Sequence, residues 1–346
     1  MAPTAGMGAR LFLTGVLTLM LGACGGITAP GSQRPASASA ADSNPTAPSS
    51  GLTKVRAAYS QVTGTQGVLY VAVDQKFFER YGLDVEAGQV VGPQQPPAMQ
   101  AGEVQFGVPG GNELISANLA GAPLVMIAAV TNVPVVSLYG AKGINDVKDL
   151  AGKTIAVTAA GSATDAAAQI FLQHFGLEKQ VKRQAAGTSE AILAILERGD
   201  VSGGIFAPPT TVVAQKGGMK ELVNGPNLGA PFVQSGVAVT RDYFRTKPDV
   251  VRRFLQGYYN SWKFCIDPAN EAAVEQTIMK WTKSDAAAAK VTYDYMVPAW
   301  SRPNMPRVSL EGLQTILALS DNPKAKDANL AQVFDNSLLE AIASGR

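Results

Sequence analysis

The chain has 346 residues, of which 46% are hydrophobic and 16% are charged, and its formal net charge is +2. That length is enough for two ordinary domains with buried cores. The charges are scattered and form no block rich in Lys or Arg, so neither a nucleic acid nor an anionic lipid surface is indicated as a partner. A single histidine and two cysteines exclude the common zinc sites, and we expect no metal and no cofactor.

The N-terminal residues are typical of an export signal. Arg10 precedes the apolar segment LFLTGVLTLML, which is too short to span a bilayer, and the sequence Leu-Gly-Ala-Cys that follows resembles the bacterial lipobox. We therefore expect residues 1–23 to be a lipoprotein signal peptide and Cys24 to carry the lipid; the alternative is an ordinary signal peptide with an incidental cysteine. Residues 24–51 are rich in Pro, Ser, Ala and Gly and are predicted to form a flexible tether.

From residue 52 onward, predicted strands alternate with predicted helices. The predicted strands are 54–59, 84–91, 105–108, 124–129, 135–139, 154–157, 181–185, 203–206 and 236–240. The predicted helices between them are 67–80, 94–101, 112–119, 147–150, 164–175 and 189–198. This alternation predicts parallel sheets covered by helices on both faces. Beyond residue 240 the pattern is helical; a helix begins at Pro248, and Cys265, beside Phe264, is predicted to be a buried, inert thiol.

Five segments follow one another in a familiar order. They are GVLYVAVDQKFFERYGLDVE, QAGEVQFGV, LAGAPLVMIAAV, INDVKDLAGKTIAV and LERGDVSGGIFAPP. Together they resemble the solute-binding proteins of bacterial ABC importers, in the subgroup named for nitrate, sulfonate, taurine and thiamine-pyrimidine substrates. The resemblance implies an α/β fold of two Rossmann-like lobes joined by two crossover strands, periplasmic binding protein type II-like, with a helical C-terminal region. Residues 52–136 with 237–346 would form one lobe, and residues 137–236 the other.

The resemblance also implies a function. The protein would be a monomer, anchored by its lipid at the outer face of the cell membrane or in the periplasm. It would capture a small polar organic solute by lobe closure and deliver it to a membrane permease that works with a separate ATPase subunit.

One alternative is a biosynthetic enzyme like the thiamine-pyrimidine synthases, which share the architecture, but nothing here corresponds to their Cys-rich segment. Another is a ligand-sensing module. No G-x-S-x-G elbow occurs, and His174 is predicted to be a structural residue inside a helix, so we expect no enzyme.

Ligands of open α/β sheets bind beyond the carboxyl ends of strands, often at helix N-termini. In FGVPGGNEL, we expect Gly110 and Gly111 to leave backbone N–H groups uncovered and Asn112 to cap the next helix, although turn chemistry alone is an alternative. Phe206, at another such junction, is predicted to stack on a flat ligand. The predicted ligand-binding residues of all five junctions are Ser60, Gln61, Thr65, Gly110, Gly111, Asn112, Thr131, Asn132, Gly161, Ser162, Ala163, Asp165, Phe206 and Pro208.

The charges at these junctions bear on the ligand. The junctions contain no Lys and no Arg, but Glu113 and Asp165 each lie in the predicted first turn of a helix. An acidic side chain there satisfies the positive end of the helix and repels an anion. A neutral or zwitterionic ligand with donors and a flat face is therefore favoured over a sulfonate. Ser162 and Asp165 also have the spacing of a capping box, which is a sufficient structural reason for both.

Overall fold

The structure is a computed structural model that describes residues 51–346. The predicted signal peptide, Cys24 and all of the predicted tether except Gly51 lie outside the described residues. Within residues 51–346, no helix combines the length and the apolar character needed to cross a bilayer.

The strands form two sheets of five strands each. In chain order the strands are β1 (Thr53–Tyr59), β2 (Leu83–Gln89), β3 (Phe106–Val108), β4 (Leu124–Thr131), β5 (Ser137–Gly140), β6 (Thr154–Val157), β7 (Lys182–Ala185), β8 (Gly203–Phe206), β9 (Lys220–Asn224) and β10 (Ser235–Thr240). The strand order is β2-β1-β3-β10-β4 in the first sheet and β7-β6-β8-β5-β9 in the second.

The helices cover both sheets and fill the C-terminal part of the chain. They are α1 (Gly67–Asp74), α2 (Gln95–Gln100), α3 (Gly111–Leu119), α4 (Ala163–His174), α5 (Ser189–Glu197), α6 (Thr210–Lys216), α7 (Gly225–Leu228), α8 (Arg241–Thr246), α9 (Pro248–Ile266), α10 (Glu271–Thr282), α11 (Ala286–Trp300), α12 (Leu310–Ala318) and α13 (Ser337–Ala343).

Both sheets are mixed, which corrects the expectation of purely parallel sheets. The strands β1, β2 and β3 are parallel, as are β6, β7 and β8. By contrast, β10 runs antiparallel to β3 and β4, and β5 runs antiparallel to β8 and β9. These two strands overlap the predicted strands 135–139 and 236–240, which match the crossover strands that the resemblance implies. A chain that enters a sheet from another lobe, without a covering helix, can pair in the antiparallel sense.

We keep the names lobe 1 for residues 52–136 with 237–346 and lobe 2 for residues 137–236, the division proposed from the sequence. The first sheet takes its strands from 53–131 and 235–240, and the second from 137–224. Strand β10 thus starts slightly before the proposed boundary. The segments 132–136 and 229–234 connect the two sheets.

Aromatic stacking marks the core of lobe 1. The ring of Phe254 in α9 stacks on Phe106 of β3 with a centroid distance of 3.7 Å and on Phe78 at 4.5 Å. Strand β4 is buried at every position, as expected for a strand covered on both faces. Cys265 of α9 is fully buried, as predicted, and burial raises the pKa of its thiol. The exposed His174 ends α4 and packs edge-on against Phe175.

Two local differences from the predicted elements have physical reasons. The helix predicted at 67–80 ends at Asp74, because Lys76 adopts a left-handed backbone conformation with φ of 58°. Helix α6 and strand β9 are absent from the sequence-based expectation. Their segment carries Gly217 and Gly218 between two short apolar runs, which are too short to show a helix or strand period.

Candidate functional site

A polar cavity lies between the two lobes, at the carboxyl ends of β1, β3, β6 and β8. Lobe 1 contributes Ser60, Gln61, Thr63, Thr65, Gln66, Gly92, Gly110 and Glu113. Lobe 2 contributes Thr158, Ser162, Ala163, Thr164 and Ala207. Val136 and Gln234 come from the connecting segments, and Ser235 is the first residue of β10 in the sheet of lobe 1. The space open to the centre of a water molecule is about 40 Å³. Since one water needs roughly 10–15 Å³ by this measure, the cavity has room for a few waters.

A cluster of hydroxyl groups forms the lobe 2 wall. The Thr158 hydroxyl lies 3.0 Å from the Ser162 hydroxyl and 2.7 Å from that of Thr164, and the latter two are 2.9 Å apart. Ser162 also caps α4, because its Oγ accepts from the Asp165 N–H at 3.3 Å. These hydroxyls are therefore held in place by one another and by the start of α4.

The lobe 1 wall carries hydrogen-bonding atoms that have no partner among the described residues. Thr63 and Thr65 pair through their hydroxyls at 2.7 Å, and the Gln66 Nε2 donates to Thr65 Oγ1 at 3.4 Å. The Oε1 of Gln66 and the hydroxyl of Ser235 are buried without a hydrogen bond. Each residue is 3% exposed. Buried polar atoms are normally paired, so these two atoms are expected to meet a ligand or water.

Glu113 is the ionisable group of the cavity. It lies in the first turn of α3, is 4% exposed, and its carboxylate accepts from the backbone N–H of Gly110 and, at 3.3 Å, from that of Ala163. Desolvation by burial raises the pKa of Glu113 to about 7, and the two backbone hydrogen bonds oppose that rise. A Cβ atom on Gly92 would lie 1.9 Å from Oε1 of Glu113, so the carboxylate lies directly against Gly92 and would have to shift to admit a side chain there.

Hydrogen bonds join the lobes around the cavity. The Asn112 side chain donates to the Gly161 carbonyl at 2.6 Å, and the Ser189 hydroxyl donates to Gln61 Oε1 at 3.2 Å. The Gly64 N–H donates to the Pro208 carbonyl at 3.0 Å. The bond from Ala163 to Glu113 is a further contact of this kind. The structure is therefore a closed arrangement of the two lobes.

Six of the predicted ligand-binding residues line this cavity, and the other eight do not. Those that line it are Ser60, Gln61, Thr65, Gly110, Ser162 and Ala163. Those that do not are Gly111, Asn112, Thr131, Asn132, Gly161, Asp165, Phe206 and Pro208. Contact of the first group with a ligand stays a prediction.

The glycine pair of FGVPGGNEL does not leave its N–H groups uncovered, as had been expected. The Gly110 N–H donates to Glu113, and the Gly111 N–H donates to the Val233 carbonyl at 3.0 Å. Asn112 does not cap α3, because Gly110 occupies the N-cap position and Asn112 lies inside the helix. The Glu113 side chain accepts from the N–H of the N-cap residue Gly110, and the Asn112 side chain donates across the cleft to Gly161.

Two more predicted contacts, those of Phe206 and Asn132, are replaced by structural roles, and Thr131 lies away from the cavity. The ring of Phe206 is fully buried and stacks on Tyr139 with a centroid distance of 5.2 Å, so it does not face the cavity. Asn132 donates to the Arg307 carbonyl at 2.7 Å and accepts from the Ser309 N–H at 3.2 Å, which ties down a C-terminal loop. Thr131 is fully buried at the end of β4.

Asp165 forms an ion pair that the sequence argument did not anticipate. Its Oδ1 lies 2.5 Å from Nε of Arg183, and its Oδ2 accepts from the Gly161 N–H at 2.9 Å. The predicted capping box is thus half correct, since Ser162 caps the helix but Asp165 bonds to Gly161 instead of Ser162. Arg183 balances the charge of Asp165, so only Glu113 retains the anion-repelling role that was assigned to both carboxylates.

Some cavity residues were not among the predicted ligand contacts. Thr63, Gln66, Thr164 and Ala207 lie inside predicted junctions (60–66, 161–165 and 206–210), and Glu113 was singled out for its charge only. The cavity residues outside every predicted junction are Gly92, Val136, Thr158, Gln234 and Ser235. Thr158 directly follows β6, so a junction extended back to the strand end would have included it. Gln234 and Ser235 precede an antiparallel strand, and the rule used for parallel strands does not reach them.

No cluster of three or more His, Cys, Asp or Glu side chains arranged to hold a metal ion is found in residues 51–346. The lobe 1 and lobe 2 walls instead offer hydroxyl, amide and carboxylate groups at hydrogen-bonding distance from the cavity. That donor set suits the recognition of a small polar molecule.

Two sheets flanked by helices, with a polar cavity between them, define the two-lobed periplasmic binding protein type II-like fold expected from the sequence. The chain belongs to the family described as NMT1/THI5 like, whose model matches residues 65–272. The predicted fold and family are thereby confirmed. No curated protein matches the chain in sequence.

Solved structures share this fold. A protein of Bordetella bronchiseptica RB50 is 18% identical, with a TM-score of 0.73 over 84% of this chain and 97% of that chain. The alkanesulfonate-binding protein SsuA of Xanthomonas axonopodis pv. citri, bound to MOPS, is 19% identical, with a TM-score of 0.66 over 78% and 93%. The periplasmic nitrate-binding protein NrtA of Synechocystis PCC 6803 is 13% identical, with a TM-score of 0.68 over 87% and 90%. At these identities the likeness establishes the fold.

Proposed function

We propose that this protein is an extracytoplasmic solute-binding protein of an ABC importer. It captures a small polar organic solute by closing its two lobes and delivers the closed form to a membrane permease, which works with a separate ATPase subunit. The observation that carries the proposal is a buried, polar cavity whose walls come from both lobes. The likeness in fold to alkanesulfonate-binding and nitrate-binding proteins supports it.

The contacts between the lobes suit a capture mechanism. Some of the bonds between the lobes, such as Asn112 to Gly161 and Gly64 to Pro208, involve residues that do not line the cavity. Opening the lobes breaks these bonds and exposes the cavity, while the cores behind β4 and β8 stay intact. A ligand that bonds to both walls therefore stabilises the closed form over the open one.

The anchoring proposal comes from the sequence. Residues 1–23 would direct export, Cys24 would carry the lipid and residues 24–51 would tether the folded lobes at the outer face of the cell membrane or in the periplasm. A tether of this composition and length reaches about 30 Å as a flexible chain. That reach lets the lobes meet a permease in the same membrane.

The enzyme alternative would use cysteine, histidine or lysine in its chemistry, as the resemblance to the thiamine-pyrimidine synthases implies. No Cys, His or Lys is found among the residues that line the cavity, within the part of the chain that the structure describes. The one described cysteine, Cys265, is buried in the core of lobe 1. A binding role without covalent chemistry is therefore the function that the site supports best.

Native mass spectrometry of the full-length protein purified from its own host tests this proposal. We expect a co-purified small molecule at one per chain. The variant Ala163→Phe, which fills the cavity from the half-buried start of α4, should carry none. Ala286→Phe places the same side chain at the same position of the exposed start of α11 and should carry as much as the wild type. Absence of any bound solute in the wild type would overturn the proposal.

A further inference from the structure

We propose that the solute is a compact molecule with N–H donors and no negative charge, such as an amide, a urea or a guanidinium-type cation, and that Glu113 receives one of its N–H groups. The inference rests on the proposed solute-binding function and narrows the class of solute. It depends on the charge, the unpartnered atoms and the size of the cavity.

The charge of the cavity comes from one side chain. Glu113 is the only ionisable residue among those that line it in the described part of the chain. Its carboxylate accepts the Ala163 N–H, and Ala163 is the first residue of α4. The N-terminus of a helix is where an anionic ligand would be held. Here a carboxylate of the protein itself already occupies that position, so an anionic solute would meet both an engaged N–H group and a like charge.

The unpartnered atoms of the cavity point the same way. The Nε2 of Gln66 is directed to Thr65, which leaves Oε1 of Gln66 as an acceptor without a donor. The Ser235 hydroxyl, also unpartnered and 3% exposed, is a second available group. A buried carbonyl oxygen requires a donor from its ligand, and an anion such as nitrate has none to offer. A solute with several N–H groups satisfies both Gln66 and Glu113.

The size of the cavity limits the solute at this lobe separation. The space open to water centres is about 40 Å³, which corresponds to about three waters. Urea, acetamide and guanidinium are of that size and are planar. Urea has two NH2 groups and guanidinium has three, so one such molecule can donate to several acceptors of the cavity at once; acetamide has one NH2 group and two N–H donors.

Titration calorimetry on the full-length, detergent-solubilised protein tests the inference with five probes: urea, acetamide, guanidinium, nitrate and methanesulfonate. We expect at least one of the three N–H donors to bind and neither anion to bind at millimolar concentration. The variant Glu113→Gln should weaken the binding of guanidinium by about tenfold or more, because a charge-assisted hydrogen bond is lost. Glu190→Gln makes the same change in the exposed first turn of α5 and should leave the affinity within about twofold.

A second variant keeps the test decisive if Glu113→Gln unfolds the protein. Gln66→Met removes the unpartnered acceptor with little change of volume, and it should weaken urea and guanidinium by about tenfold. Binding of nitrate or methanesulfonate without any N–H donor would overturn the inference and leave the solute-binding function standing. Binding of none of the probes, by a protein that still carries a co-purified solute, would also overturn it. Unchanged affinity in both variants would remove Glu113 and Gln66 from the site.

Discussion

Asn112 and Gly161 face each other across the cleft, and the Nδ2 atom of Asn112 lies 2.6 Å from the carbonyl oxygen of Gly161. Asn112 belongs to α3 of lobe 1, and Gly161 belongs to the turn before α4 of lobe 2. The proposed opening of the lobes would break this bond. The bond would therefore contribute to the free energy of closure and not to the stability of either lobe alone.

Replacing Asn112 with Ala should weaken solute binding without unfolding the protein. The loss of one hydrogen bond is expected to cost about 0.5–1.5 kcal/mol, or roughly threefold to tenfold in affinity. The matched control is Asn118→Ala in the same helix, since Asn118 donates to Leu114 and Leu124 within lobe 1. That control should lower the melting temperature and leave affinity unchanged. Equal affinities for Asn112→Ala and the wild type would show that this bond does not contribute to closure.

Gly92→Ala should open the cleft. The added Cβ would lie 1.9 Å from Oε1 of Glu113, so the carboxylate must leave its position beside Gly110 and Ala163. We expect a larger radius of gyration by small-angle X-ray scattering and a loss of solute affinity. Gly88→Ala is the control, because a Cβ there meets no atom within 4 Å. A scattering profile of Gly92→Ala that matches the wild type in the presence of solute would contradict this expectation.

The stability of the closed protein should depend on pH through Glu113. Burial raises its pKa from the ordinary 4.5 to about 7, so the folded state binds a proton that the unfolded state releases between these values. The free energy of unfolding should therefore fall as pH rises from about 4.5 to about 7 and stay level above that. Between pH 5 and 8 the part due to Glu113 is about 2–3 kcal/mol.

Melting curves of the wild type and of Glu113→Gln at several pH values measure the contribution of Glu113 to the free energy of unfolding. As pH rises, the free energy of unfolding of the wild type should fall relative to that of Glu113→Gln. Glu275 also has a raised pKa, caused chiefly by desolvation, but both proteins share it and its contribution cancels. Parallel stability curves for the two proteins from pH 5 to 8 would mean that Glu113 titrates normally.

The ion pair of Asp165 and Arg183 should contribute to stability and not to solute binding. Asp165→Asn is expected to cost about 1–3 kcal/mol, because a hydrogen bond to a charged group is lost in a partly buried place. Asp165 does not line the cavity, so affinity should stay within about twofold. A double-mutant cycle with Arg183→Gln isolates the pair. A strong loss of affinity at unchanged stability would place Asp165 in the binding site after all.

Cys24→Ala should release the protein from membranes while its fold stays unchanged. The cysteine lies in the predicted lipobox, and the tether after it has almost no large apolar residue with which to contact a core. Membrane fractionation and a melting curve together measure both parts of this expectation. A variant that sediments with the membranes as the wild type does would refute the proposed lipid anchor.

Local patterns predicted the elements more reliably than the contacts between them. Strand β8 was placed at its observed limits, and the apolar stripe after Pro248 predicted α9, since both signals lie within a few neighbouring residues. The predicted helix 67–80 extends beyond the observed end of α1, because the residue types around Lys76 do not indicate its left-handed backbone conformation. No sequence rule assigns such a conformation to lysine.

The cleft was predicted only in outline for a related reason. The junction rule located Ser60, Gly110 and Ser162 correctly, because the carboxyl ends of parallel strands meet at one edge of each sheet. It misassigned Phe206 and Asp165, whose partners, Tyr139 and Arg183, are distant in the sequence. Which way a side chain turns at a junction depends on tertiary neighbours that a single sequence does not reveal.

The hydrogen bond from the Gly64 N–H to the Pro208 carbonyl joins the lobes through main-chain atoms alone. Replacement of a neighbouring side chain leaves those atoms in place. Position 64 itself is constrained, since a Cβ there would lie 2.3 Å from the methyl group of Thr292. If the protein acts by the proposed lobe closure, substitutions in the polar walls would alter solute preference while this main-chain hydrogen bond is kept. Chains descended from one ancestor would then come to bind different solutes with the same mode of closure.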